Sequence, residues 1–283
     1  MRVPFEVGSG GDMLARTLFQ KLGDQVKSKF IVDNNALAGG IISAEKLSQD
    51  QTDGKTIGIL GDGVLNLIPT AFPKIAKTTS NSFTPISGLI TINYVLIVHP
   101  SLPVKKMSEF SKLVKQIYPK TLDYAASGAP ISPALIFMKD IELRENLRMT
   151  AIPLKGQASA VIELVAGRIP TAVLGIPVSL PYIKTNRLRA IAVTKNTRSF
   201  LLPNVPTVEQ SGIKDFNAYS YMGLFGPKNL PASIAAKYYN DLTVLYKDKA
   251  LKEKLENMGL EPNLMNQNKQ LRSLQPHCPC LAV

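Results

Sequence analysis

The chain has 283 residues, 45% of them hydrophobic and 19% charged, enough for about two domains and a sizeable core without disulfides. No apolar run approaches the ~20 residues that a membrane-spanning helix requires. The net charge of +12 does not mark a nucleic-acid binder: Lys105-Lys106 is the sole adjacent basic pair, no basic tract is interleaved with stacking aromatics, and Trp is absent. The excess reads as a solvated basic surface whose weak field draws anions.

Short β-like runs alternate with amphipathic helices, the pattern of parallel α/β sheets. Residues 2–5 predict a strand stub, and Asp12 an N-cap for a helix with Leu14, Leu18 and Leu22 on one stripe. No apolar leader precedes the stub, so a shortened N-terminus is expected. Further strands are predicted at 30–32, 56–60, 94–98, 122–126, 151–153, 171–174, 188–194 and 218–225. Helices are predicted from Gly39-Gly40 through Leu47, at 108–117, through Leu135 and Met138, and at 156–166, 178–185, 231–246 and 248–258. From Asn263 the apolar period fails, and 263–283 is expected to be a loose tail. It carries Cys278 and Cys280, too close for a normal disulfide, with His277 too few for a zinc site.

Two segments bear on function. Residues 3–12, Val-Pro-Phe-Glu-Val-Gly-Ser-Gly-Gly-Asp, run from a strand through a glycine-rich loop into a helix. Free N–H groups at a helix start attract anions, and glycine admits them closely. A P-loop is excluded because Asp12-Met13 follows Gly11, and a dinucleotide fingerprint because Met13 takes the third glycine position. A tight turn without ligand remains the alternative. Residues 124–132, Tyr-Ala-Ala-Ser-Gly-Ala-Pro-Ile-Ser, repeat the strand–loop–helix pattern, and ligands gather at the carboxyl ends of parallel strands. For catalysis the chain offers little: His99 precedes Pro100 at a strand end, Ser9 and Ser127 lack an evident base, and no nucleophile elbow or zinc motif is present. Neither a metal nor a cofactor is expected.

Six collinear stretches resemble the periplasmic substrate-binding subunits of tripartite tricarboxylate transporters, the Bug family: Val3-Pro4-Phe5 with Gly8, Gly10-Gly11-Asp12 and Ala15-Arg16; 33–40; 100–109; 152–156; 188–194; and 202–212. The resemblance runs from about Val3 to Pro262. It implies a two-lobed, mainly parallel α/β fold of the type II periplasmic binding proteins, with lobes of 1–97 plus 223–283 and of 98–222. It implies a non-enzymatic, periplasmic, monomeric receptor that holds a small organic acid or acidic amino acid and delivers it to the transporter's membrane subunits. The implied site comprises Phe5, Gly8, Ser9, Gly10, Gly11 and Asp12 on one loop and Ala126, Ser127, Gly128, Ala129 and Ser132 on the other, lined further by Gly61, Asp62, Lys155, Gly156 and Tyr221. The chain departs from the family at Glu6, Val7 and Ser9, at 171–175 where an acid is frequent, and after Pro262, where final helices are expected to be missing. A sensor docking to a receptor kinase and a small-molecule enzyme on the same fold are the alternative readings.

Overall fold

The computed structural model describes residues 1–117, 120–128 and 131–273. In chain order the elements are β1 (Arg2–Val3), α1 (Gly10–Val26), β2 (Asp33–Asn34), α2 (Ile41–Gln49), β3 (Gly58–Gly61), α3 (Ile68–Ala71), β4 (Phe83–Val98), α4 (Met107–Gln116), β5 (Leu122–Ser127) and α5 (Pro133–Glu145). They continue with β6 (Met149–Leu154), α6 (Gln157–Val165), β7 (Thr171–Gly175), α7 (Ile176–Lys184), β8 (Arg189–Val193), β9 (Tyr219–Pro227), α8 (Ala232–Leu245), α9 (Lys249–Asn257), β10 (Glu261–Met265) and α10 (Gln267–Ser273). Among the described residues the chain divides into two compact units, Met1–Thr91 with 220–273, and Ile92–Tyr219. The chain crosses between the units within β4, after Thr91, and at the start of β9, after Tyr219.

In the first unit β1 pairs parallel with β2 and β3, β3 pairs antiparallel with β9, and β10 pairs antiparallel with the first half of β4. Ala44, Leu47, Leu60, Val64, Leu65, Phe83, Tyr221 and Phe225 form a buried cluster there. Helix α1 buries its expected stripe of Leu14, Leu18 and Leu22, and ends where Lys27 turns to φ 52° and its N–H reaches Gly23 O. In the second unit β5 lies parallel between β6 and β7, while β7 and β8 run antiparallel to the second half of β4. Val95, Ile97, Ala125, Leu164, Leu174, Leu180 and Val193 belong to its core.

Four expectations are corrected. The N-cap of α1 is Ser9, not Asp12. Residues 30–32 do not pair; Ile31 is 72% exposed, and Phe30 instead meets Phe19 edge-on at 5.1 Å. The pairing passes to Asp33 and Asn34, opposite Arg2 and Val3. Strand β4 begins at Phe83, where Ser87, Thr91 and Asn93 interrupt the apolar pattern yet are buried. The polarity of Ser87 and Thr91 is answered across the sheet: Ser87 Oγ donates to Met265 O at 3.0 Å, and Asn263 Nδ2 to Thr91 Oγ1 at 2.9 Å. For the same reason 263–273 is not loose, since β10 and α10 occupy it and Gln270 is buried. His277, Cys278 and Cys280 lie outside the described residues, as does Ala129.

Candidate functional site

The loop at 5–12 closes on itself. Gly8 sits at φ +80°, a conformation only glycine adopts without strain, and Ser9 N–H donates to Glu6 O at 3.1 Å. That turn aims Gly8 N–H at Asp12 Oδ2, 2.9 Å away. Asp12 also accepts from Asn34 Nδ2 at 3.0 Å and is ion-paired with Arg16 at 2.9 Å. Burial disfavours its charge, but the bonds from Gly8, Arg16 and Asn34 outweigh it and hold the carboxyl below its ordinary value. Asp12 thus braces the loop from within. Asn34 adds a donor bond to Phe5 O at 3.2 Å. Glu6 and Val7 are exposed, so the loop's one unpaired acid is in solvent.

Around this loop the glycines mark close approaches. A side chain at Gly11 would lie 2.2 Å from the Phe5 ring. One at Gly61, ending β3, would lie 3.6 Å from Phe5 Cζ and 3.2 Å from Tyr221 O. One at Gly40, at φ +91°, would strike Pro4 at 2.6 Å. At Gly10 the nearest atom is 3.8 Å away, so that position is open. Phe5, Gly11 and Gly61 therefore gather at the carboxyl ends of β1 and β3. Asp62 follows at once, its Oδ2 accepting Tyr221 N–H at 3.0 Å. Burial pushes its carboxyl well above the ordinary value despite the bonds from Tyr221. After it the chain makes a wide π-type turn over Gly63–Leu67, a distortion frequent at functional sites.

In the second unit Ala126 and Ser127 are buried at the end of β5. Gly128 turns at φ +74° and donates to Leu154 O at 3.0 Å, fastening the loop to the end of β6. Ser132 caps α5 by accepting Leu135 N–H at 3.2 Å, and its hydroxyl donates to Ser127 O. Gly156 caps α6, where its N–H reaches Ser159 Oγ at 3.2 Å. Lys155 beside it is exposed. Gly175 ends β7 and opens α7, its N–H donating to Gln157 Oε1 at 2.7 Å. Three adjacent parallel strands thus deliver the N-termini of α5, α6 and α7 to one sheet edge, each with its partial positive charge. At that edge the Ser127 hydroxyl, on a residue 1% exposed, has no hydrogen-bond partner among the described residues.

Of the predicted residues, Phe5, Gly8–Asp12, Gly61, Asp62 and Tyr221 gather in the first unit, and Ala126–Gly128, Ser132, Lys155 and Gly156 in the second. Sequence reasoning missed Arg16 and Asn34 as the brace of Asp12, and Gln157 and Gly175 as a third strand-end loop. The last had the signal that found the others: a glycine between a strand and a helix, before Ile176-Pro177. His99 Nδ1 and Ser101 Oγ are 2.7 Å apart. They lie beyond Val98, which pairs with Thr171, at the far end of β7 from Gly175. Among the described residues no cluster of three or more His, Cys, Asp or Glu could hold a metal, and no helix is long and apolar enough to cross a membrane.

A family model described as the tripartite tricarboxylate transporter family receptor matches residues 14–278. Protein BugT of Bordetella pertussis is 27% identical over 264 residues, covering 93% of this chain and 80% of that protein. In structure the chain is similar to R. palustris Rpa4515 with adipate (TM-score 0.87, 24% identity, covering 97% and 92% of the two chains). It is similar also to MatC (Rpa3494) from Rhodopseudomonas palustris with bound malate (TM-score 0.85, 22% identity, covering 97% and 94%). These likenesses show the fold, the two-lobed α/β fold of type II periplasmic binding proteins. With the receptor model matching residues 14–278 of its 283, the chain belongs to the tripartite tricarboxylate transporter receptor family.

Proposed function

We infer that this receptor binds a small carboxylate through its strand-end loops, 5–12 in one unit and 126–132 in the other, and hands it unchanged to the membrane subunits of a tripartite transporter from the periplasm. The observation that carries the reading is the buried Ser127 hydroxyl, unpartnered among the described residues, at the edge where α5, α6 and α7 begin. A carboxylate oxygen would accept its proton, and the helix starts would stabilise the charge. The adipate and malate named with two structural relatives support carboxylates as the class. Selectivity would rest on backbone groups and water more than on charged side chains, since Lys155 is exposed and Asp12 is engaged internally. The reading includes no turnover, and the Ser101–His99 pair stands at the opposite end of its sheet.

The test is a thermal-shift screen over malate, adipate, citrate, glutamate and benzoate, followed by calorimetric titration of the acids that stabilise the protein. At least one should bind, and Gly10→Val, at a position where an added Cβ meets nothing closer than 3.8 Å, should abolish binding by blocking the backbone. Failure of every acid, or undiminished binding by the Gly10 variant, contradicts the reading. Steady conversion of the bound acid, lost in Ser127→Ala or Ser101→Ala, would replace it with an enzyme.

A further inference from the structure

Asp62 stands where two features of the first unit meet. It immediately follows Gly61, which lies against Phe5 of the loop at 5–12 and opposite Met222 of β9. The β3–β9 ladder ends at that Gly61–Met222 pair. The backbone N–H of the next residue of β9, Tyr221, donates to Asp62 Oδ2 at 3.0 Å. A side chain thus adds a rung beside the last paired residues of the ladder. Tyr221 is the second residue after the chain returns from the second unit at Tyr219/Ser220, and it is 1% exposed. The Asp62 carboxyl therefore ties the proposed site's strand end to the returning chain.

Resting on the carboxylate reading above, we propose that Asp62 is a positioning residue for ligand binding, acting through the Tyr221 amide to fix the returning strand. What the position requires is an acceptor toward Tyr221 N–H. A carboxylic acid and a primary amide both supply one, whereas an ionised carboxylate supplies it at the cost of a partly buried charge beside a site for anions. Burial and Tyr221 are the influences on this carboxyl; no Lys, Arg, His, Asp or Glu among the described residues acts on it. Its ionisation is thus uncompensated, and binding of an anion should weaken as pH rises through the raised value.

The experiment compares wild type, Asp62→Asn and Asp62→Leu in calorimetric titrations with whichever of malate, adipate, citrate, glutamate or benzoate stabilises the wild type, across a pH series. Hydrogen exchange of the segment around Tyr221 is followed in parallel. Asp62→Leu should bind about ten-fold more weakly, the consequence of one lost part-buried hydrogen bond, and exchange faster at Tyr221. Asp62→Asn should retain affinity and protection and lose the decline at high pH. Equal affinity in all three proteins overturns the inference and leaves the carboxylate reading standing. If Asp62→Leu does not fold, a pH profile of Asp62→Asn identical to wild type overturns it. If no acid binds the wild type, the carboxylate reading falls, and unchanged protection of Tyr221 in Asp62→Leu overturns the positioning role on its own.

Discussion

The loop at 5–12 in the first unit turns its polar groups on itself: Gly8 N–H, Asn34 and Arg16 converge on Asp12, and Ser9 caps the helix. The loop that follows β5 in the second unit is fastened by Gly128 and Ser132 but leaves the buried Ser127 hydroxyl without a partner among the described residues. Both grow from the same sequence pattern of strand, small residues and helix. The difference teaches that the pattern fixes the backbone route and not the state of its polar groups. One loop is a finished brace; the other holds a buried donor with no partner among the described residues, and buried donors seldom stay unpaired.

If this contrast is right, substitutions should separate the loops. The largest effect is expected at Asp12. Asp12→Ala leaves Gly8, Asn34 and Arg16 without their common acceptor and should cost roughly 2–3 kcal/mol, since bonds to charged groups are the strong ones; chemical denaturation measures it. The pH dependence has a definite sign. The folded carboxyl lies below its ordinary value of 3.8, so its contribution is complete above that value and is lost as pH falls through the lower folded one. Acid unfolding of the wild type should therefore lose an increment that Asp12→Ala does not show. Next comes Gly11→Val, whose side chain must expel the Phe5 ring now 2.2 Å from the added carbon; about 1–3 kcal/mol of overpacking follows, whereas Gly10→Val should leave the unliganded fold near wild type. Ser132→Ala removes the cap of α5 and should cost about 1 kcal/mol. Ser127→Ala removes a hydroxyl that has no partner among the described residues and should stay within about 0.5 kcal/mol of wild type.

Much of this fold is legible because apolar period and glycine punctuation agree. Leu14, Leu18 and Leu22 announce α1, and Pro231 and Asp248 stand at the caps of α8 and α9 as expected. Legibility fails where side chains take over backbone roles. Ser87 and Thr91 look like loop residues yet are buried where β10 pairs with β4, with Met265 O and the exposed Asn263 as their partners. Phe30, Ile31 and Val32 have strand propensity, but the register of Arg2 with Asp33 decides otherwise. In the site, glycine and serine positions could be read from the pattern. The inward turn of Asp12 could not, because its partners Arg16 and Asn34 come from the next helical turn and from β2. Nor could Asp62 as an added rung beside Tyr221, since that bond joins residues far apart in the chain.

The most direct test of the contrast is a pair of calorimetric titrations, wild type against Ser127→Ala, with an acid that the screen identifies, alongside the melting temperature of each protein without ligand. The account predicts unchanged unliganded melting and about ten-fold weaker binding, the loss of one hydrogen bond made only to the ligand. Equal affinity, or a variant that is destabilised before any acid is added, would show that Ser127 is already satisfied within the fold and would contradict the account.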